Sequence, residues 1–350
     1  MKIKNLCSYA PKSKIKAGEA VENAKYLFFT SSTDENKRYT DFQFDKEAII
    51  MGTGGNATLH YYNGKFSVST DCLVLLPNSK IKCKYLYYFF KSHMSVLEAG
   101  FKGAGLKHTN KKYIEEININ EVPDLTTQEK IISHLDTISD NIEKLNRELE
   151  LFDSLTKARF VEMFGDPEEN PFNWEKTLLT KVIINANNGM ARRGNDKDGN
   201  IVMRLVELQD GYIDYSNPNR IILKDNEKKR YLLKDKDFLF ARVNGNPDNV
   251  GRCAVFHDIG EDVYHNDHII RVHFDEELLN GTFASALFNS DYGKKQLKSQ
   301  IKTSAGQYTV SQDGIGAIAT ILPPAKLQNQ FADFVHQVDK SKYDDMYIRY

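Results

Sequence analysis

The sequence predicts an α+β chain: two tandem globular units of mixed α and β structure, each followed by a long helix, the two helices pairing as an antiparallel coiled coil. Three observations carry this. First, Val122-Pro-Asp-Leu-Thr-Thr-Gln128 and Leu322-Pro-Pro-Ala-Lys-Leu-Gln328 each open a helical pattern, and Pro123/Pro323, Gln128/Gln328, Ile131/Phe331, Leu135/Val335 and Ile138/Val338 match at a constant offset of 200. Second, each of these stretches follows a basic loop containing glycine, Lys102–Thr109 or Lys302–Thr309. Third, the pattern after Gln128 repeats every 3.5 residues, the period of a coiled-coil seam. A duplication of this length fixes the architecture before any local motif does. It places a first domain at 1–123, a central helix at 124–165, a second domain at 166–322 and a C-terminal helix at 323–350.

In the first domain, Glu47–Met51, Ala57–Tyr62 and Asp71–Leu76 are strand-like, and Asn63-Gly64 between Tyr61-Tyr62 and Lys65-Phe66 signals a hairpin turn. An aromatic-rich helix is expected at about 84–98. From Thr127 to Phe164 there is neither Pro nor Gly. Ile131, Leu135, Ile138, Ile142, Leu145, Leu149 and Phe152 form the expected seam, with Glu143, Lys144, Arg147, Glu148 and Glu150 on solvated flanks. Thr126 or Thr127 is the expected N-cap, and Gly165-Asp-Pro167 ends the helix. The second domain repeats the order, with strands at Asp237–Arg242, Gly251–His257 and His268–Phe274 and a helix near Gly281–Ile301. In the C-terminal helix Phe331, Val335 and Val338 keep the register. Lys342 then stands where Ile142 would be, and Tyr343–Tyr350 shows no clear heptad, so this helix is expected to be a shortened spacer.

With 41% hydrophobic and 27% charged residues in 350, the chain reads as an ordinary soluble protein with room for two cores. No apolar run reaches the roughly 18 residues that a membrane span needs. Scattered Cys7, Cys72, Cys83 and Cys253 without a C-x-x-C pair read as reduced thiols, so a cytoplasmic location is expected. The net charge of −1 conceals a division. Residues 1–125 hold 18 Lys/Arg against 13 Asp/Glu, a net of +5, whereas residues 126–170 hold 5 against 11, a net of −6. The local field decides whether a phosphate backbone is attracted, so a basic first domain is compatible with DNA binding.

The phrase Phe160-Val-Glu-Met-Phe-Gly-Asp-Pro167 followed by Asn170-Pro-Phe-Asn-Trp174 resembles the junction after the central helix of type I restriction–modification specificity subunits. Pro-x-Leu-x-x-Gln at Pro123–Gln128 and Pro-Pro-x-x-x-Gln at Pro323–Gln328 resemble the motifs that follow that family's target-recognition domains. Gly52–Ala57 with Gly64–Asp71 resembles one type of such domain, and Ala241-Arg-Val-Asn244 with Val250-Gly-Arg252 resembles another. The resemblance covers almost the whole chain. It implies a subunit without chemistry of its own, whose two domains each read one half of a split sequence in double-stranded DNA while the paired helices set the gap. It also implies two modification subunits, which bind S-adenosylmethionine and methylate adenine, and restriction subunits that use ATP and Mg²⁺ to cut. This chain departs from the pattern in lacking a counterpart of Trp174 at its start and in the short second helix, which calls the paired ruler into question. Self-association, with another copy supplying the helix in trans, is the expectation drawn from that shortening.

DNA-contacting residues follow from chemistry: Arg, Lys, Asn and Gln read base edges, while Lys, Arg, Ser, Thr and backbone N–H groups hold phosphates. In domain one these are Thr53, Gly54, Gly55, Asn56, Lys65, Lys107, His108, Asn110, Lys111 and Lys112. In domain two they are Arg192, Arg193, Arg242, Asn244, Gln307, Tyr308 and Ser311. Against each stands the bland reading of a solvated turn. The alternative class, a stand-alone nuclease or methyltransferase, finds only weak signals. Glu227-Lys-Lys229 lies in a charge run, His265-Asn-Asp-His268 has no further ligand cluster, and Asn244-Gly-Asn-Pro247 lacks the second Pro and the aromatic of an adenine methyltransferase motif.

Overall fold

The computed structural model describes residues 1–304 and 306–347. Ala305 of the second basic loop and Ile348–Tyr350 of the C-terminal tail lie outside the described residues. The chain divides into two compact units, Met1–Asn146 and Arg147–Tyr350, so the division falls within the long helix rather than at either of its ends.

Unit 1 is built on a six-stranded sheet in the spatial order Cys7–Tyr9, Cys72–Pro77, Phe44–Gly52, Leu59–Val68, Tyr26–Phe29 and Arg38–Tyr39. All neighbours are antiparallel except Tyr26–Phe29 beside Leu59–Val68. Successive side chains of a strand point to opposite faces. Accordingly Ile49 and Met51 join one core with Leu75, Leu86, Phe90 and Ile114, whereas Ala48 and Ile50 join the other with Phe29, Phe66 and Val74. Asn63-Gly64 does not make the expected hairpin turn. The strand Leu59–Val68 runs through it, with Asn63 opposite Glu47 and Gly64 opposite Lys46. Gly64 takes φ +146°, which a glycine tolerates inside a strand, and the strand is worth continuing because Phe66 and Val68 beyond it are fully buried. The aromatic helix is two helices, Cys83–Ser92 and Met94–Glu98, interrupted at His93.

The long helix spans Leu125–Phe164. Its cap is Asp124, not a threonine: Asp124 Oδ1 accepts from the Thr127 N–H at 3.0 Å and Oδ2 from the Thr127 hydroxyl at 2.7 Å. These bonds lower the Asp124 pKa. A carboxylate satisfies an orphan N–H and also favours the positive end of the helix dipole, which a hydroxyl does not. The helix ends at Gly165, φ +73°.

Unit 2 repeats the logic on a four-stranded sheet ordered Cys253–Val255, Phe238–Ala241, Ile269–Phe274 and Ile183–Asn188. Phe238 and Phe240 face one core, Leu239 and Ala241 the other. A small sheet of Val243–Asn244, Gln307–Thr309 and Lys302–Ser304 lies at its margin. The helix expected over 281–301 breaks into Gly281–Asn289 and Asp291–Ser299, because Ser290 caps the second by accepting from the Gly293 N–H. The C-terminal helix Ala325–Tyr347 runs antiparallel to the end of the long helix. Phe331 meets Phe160 and Phe164 at ring separations of 5.5 Å, the Arg159 guanidinium lies over the Phe334 ring, and Lys342 Nζ reaches Asp153 at 2.8 Å. Phe331 and Val338 are buried and Val335 is partly buried, as the register predicts. The seam departs from expectation on the long helix. Ile138, Ile142 and Leu149 are exposed and Ile131, Leu135, Leu145 and Phe152 only half-buried.

The duplicated motif has a physical meaning in Gln128 and Gln328, both wholly buried. Gln128 Oε1 accepts from the Lys82 N–H at 2.7 Å, while Nε2 donates to the carbonyls of Lys80 (3.2 Å) and Pro123 (2.8 Å). Gln328 Oε1 accepts from the Asn280 N–H at 2.9 Å, while Nε2 donates to Leu278 (3.0 Å) and Pro323 (2.7 Å). In each unit one amide ties the start of a long helix to the N-cap residue of the helix packed under the sheet. Only a side chain with both an acceptor and a two-hydrogen donor satisfies all three groups.

Candidate nucleic-acid interface

Each unit joins its central strand to a polar edge in the same way. In unit 1 the chain leaves Phe44–Gly52 through Thr53–Asn56, which pairs with the basic loop before helix Lys111–Glu116. Gly54 bridges His108, the Gly55 N–H donates to the Lys107 carbonyl at 2.9 Å, and the Thr109 N–H donates to the Thr53 carbonyl at 3.0 Å. Ser31, which the sequence reading missed, fixes the loop by accepting from the N–H groups of Thr53 (3.1 Å) and Gly54 (3.3 Å). In unit 2 the chain leaves Phe238–Ala241 through Arg242–Asn244. Val243 pairs with Thr309 and Asn244 with Tyr308, and the Val310 N–H donates to the Arg242 carbonyl at 2.9 Å. Asn110 then caps Lys111–Glu116, and Ser311 caps Gln312–Gly316.

The structure therefore gathers Thr53, Gly54, Gly55, Asn56, Lys107 and His108 at one edge, and Arg242, Asn244, Gln307 and Tyr308 at another. Asn110 and Ser311 stand beside these edges with their side chains used as caps. Lys111 lies over the Tyr9 ring at 4.5 Å and near Glu115 at 3.5 Å, and Lys112 is exposed on the same short helix. Lys65 is not brought to the unit 1 edge. It lies opposite Asp45, eight residues along from Thr53, about 25 Å at strand rise, and its ammonium covers the Phe42 ring at 4.7 Å.

Arg192 and Arg193 lie in the turn after Met190 and spend most of their donors internally. Arg192 holds Glu227 through Nε (3.1 Å) and Nη2 (2.8 Å), and this pairing, with the Lys224 N–H, lowers the Glu227 carboxyl to about 2. Arg193 reaches Asp267 Oδ1 at 2.6 Å, His268 Nε2 at 3.1 Å and the Ala191 carbonyl at 2.8 Å. Arg242 Nη1 donates to the Asp267 carbonyl at 3.1 Å, so one residue contacts both arginines. Burial lowers the His268 pKa, with Arg193 and Arg242 adding to it against the attraction of Asp267. The sequence reading missed Asp267 in this role, and a charge pattern gives no signal for it, since its partners are 74 and 25 residues away.

His265 is fully buried, its Nδ1 3.1 Å from the Tyr231 carbonyl, and burial pushes its pKa down to about 4. The fold thus favours the neutral ring. Its contribution is present above the unfolded value near 6.5 and is lost as pH falls from there towards 4, a loss of about 3 kcal/mol. His265→Gln should remove that pH-dependent component. Urea unfolding at pH 7 and pH 4 that gives parallel losses for both proteins would refute the assignment.

Comparison with known proteins bears on what these edges are for. The family model described as the type I restriction modification DNA specificity domain matches residues 1–151. The StySPI specificity subunit of Salmonella potsdam is 27% identical over 286 residues, covering 78% of this chain and 62% of its own length. The EcoKI specificity subunit of Escherichia coli is 23% identical over 311 residues, covering 83% of this chain and 67% of its own length. The chain thus spans about two thirds of the length of these relatives. A crystal structure of the type I S subunit from M. genitalium shares the fold with a TM-score of 0.67 at 16% identity, over 100% of this chain and 90% of that one. Among the described residues, no helix is long and apolar enough to cross a membrane. Motif order, duplicated architecture and these relatives agree: the chain is similar in sequence and in fold to type I restriction–modification specificity subunits.

Proposed function

We propose that this chain is the non-catalytic DNA-reading subunit of a type I restriction–modification assembly in the cytoplasm. Its two domains each read one half of a bipartite target, directing adenine-N6 methylation or cleavage by partner subunits. The observation that carries the reading is the twice-built edge, where a loop leaving the central strand pairs with a polar loop ahead of a capped helix, at Gly54–His108 and at Asn244–Tyr308. Both edges present groups suited to base edges and phosphates. The exposed Ile138, Ile142, Leu151, Leu155 and Val161 on the long helix support docking of two modification subunits there. S-adenosylmethionine, ATP and Mg²⁺ would be bound by those partners and by the restriction subunits.

Methylome sequencing of cells expressing the chain with its modification subunit, against cells lacking the chain, tests this. Chain-dependent N6-methyladenine at one split motif is the expected result, and no new methylation despite a stable complex counts against it. Replacing Arg242 and Asn244 together with alanine should relax one half of that motif and leave the other intact. The expected loss of discrimination is about 10- to 100-fold, as for a lost base contact. Uniform weakening of both halves would remove these residues from the reading edge.

A further inference from the structure

Unit 2 also contains a cleft of about 280 Å³ beside the Met190–Asn195 turn. The three arginines on its wall each carry their own carboxylate. Arg192 is paired with Glu227 at 2.8 Å, Arg193 with Asp267 at 2.6 Å, and Arg204 with Glu207, whose carboxylate also accepts from the Arg204 N–H at 2.6 Å. The paired charges cancel, which makes the cleft a poor home for a phosphate.

Its other groups suit a neutral, flat ligand with a polar rim. Val202 and Ile221 stand behind the cleft and are 0% and 2% exposed, so its reachable groups are chiefly polar. Asn219 and Asn266 line the same cleft and are 9% and 4% exposed. Asn266 Oδ1 accepts from the His268 N–H at 3.1 Å. Among the described residues, no side chain or backbone group hydrogen-bonds the Asn266 amino group or the Asn219 amide. Buried amides are normally satisfied, so these face a ligand or ordered water.

We propose that this cleft receives one base of the DNA target, swung out of the double helix. The inference rests on the DNA-reading role proposed above. Hydrogen bonds from the two asparagine amides would engage the base edge, as the edges of extruded bases are read.

The test places 2-aminopurine, which brightens when unstacked, at each position in turn of duplexes carrying the split motif. The full chain is added without any methyltransferase subunit, and anisotropy reports binding in parallel. A rise of about fivefold at one position of a single half-site is expected. Gly194 lies on the rim in an ordinary backbone conformation. A Cβ there would stand 3.4 Å from Ile221 Cγ2 and 3.6 Å from Asp196 Oδ2, so a side chain is accepted. Gly194→Phe should fill the cleft and abolish the rise, and Asn219→Leu should at least halve it, with melting temperatures confirming that both fold. Binding by anisotropy with no bright position overturns the inference alone, as does a full rise in both variants. No binding at all overturns the DNA-reading role and the cleft's occupant with it.

Discussion

Replacing Gln328 with leucine is expected to cost unit 2 about 3 kcal/mol, because a side chain of similar size then leaves the Asn280 N–H and the Leu278 and Pro323 carbonyls unsatisfied in a dry site. Gln128→Leu should cost unit 1 a similar amount through Lys82, Lys80 and Pro123. Urea unfolding followed by a probe in each unit reads both effects, and each substitution should shift chiefly its own unit's transition. Gln328→Glu separates the hydrogen bonds from the packing. It keeps the acceptor for Asn280 but sets an oxygen against two carbonyl oxygens. The protonated acid is the form that fits, so its folded pKa must rise. Stability is then retained below the unfolded glutamate pKa near 4.3 and lost as pH increases above it. The variant should be weaker at pH 8 than at pH 5. Wild-type stability for Gln328→Glu at pH 8 would show that the amide is incidental.

Gly189→Ala should be comparably damaging by a different route. A Cβ there would stand 2.2 Å from the His265 carbonyl oxygen and 2.3 Å from that of Asn266. Both are backbone atoms held in place, since the Met190 N–H donates to His265 at 2.9 Å and the Asp267 N–H donates to Met190 at 3.0 Å. The turn carrying Arg192 and Arg193 must lift off the Asn266–His268 segment, breaking the Arg193–Asp267 pair. A loss of about 3 kcal/mol is expected, as for forced overpacking. DNA affinity should fall tenfold or more, with only one half of the target affected. Thermal melting and anisotropy check this, and an unchanged melting temperature would show that the two segments do not need so close an approach.

Much of the architecture was legible in the residues because it is written in spacing. The offset of 200 locates both long helices, the absence of Pro and Gly between Thr127 and Phe164 sets the length of the first, and Gly165 ends it. Short-range chemistry misled where tertiary burial outweighed it. Asn63-Gly64 is a turn signal by local preference, but the buried Phe66 and Val68 beyond it reward a strand that continues. Thr126 and Thr127 are good caps in isolation, but Asp124 lies one residue before the true start.

The site divides along the same line. The sequence by itself determined the duplicated plan, the family resemblance and the loops from which the edges are made, because composition and period survive without coordinates. Only the tertiary structure decided which of those side chains remain available. It showed Asn110 and Ser311 spent as caps, Arg192 and Arg193 tied to Glu227 and Asp267, and Lys65 stranded along the sheet from its expected neighbours. It also brought forward Asn219 and Asn266, which no motif singles out. The reason is physical: a hydrogen bond or ion pair depends on ångström distances between residues tens of positions apart, and a sequence period does not encode those distances.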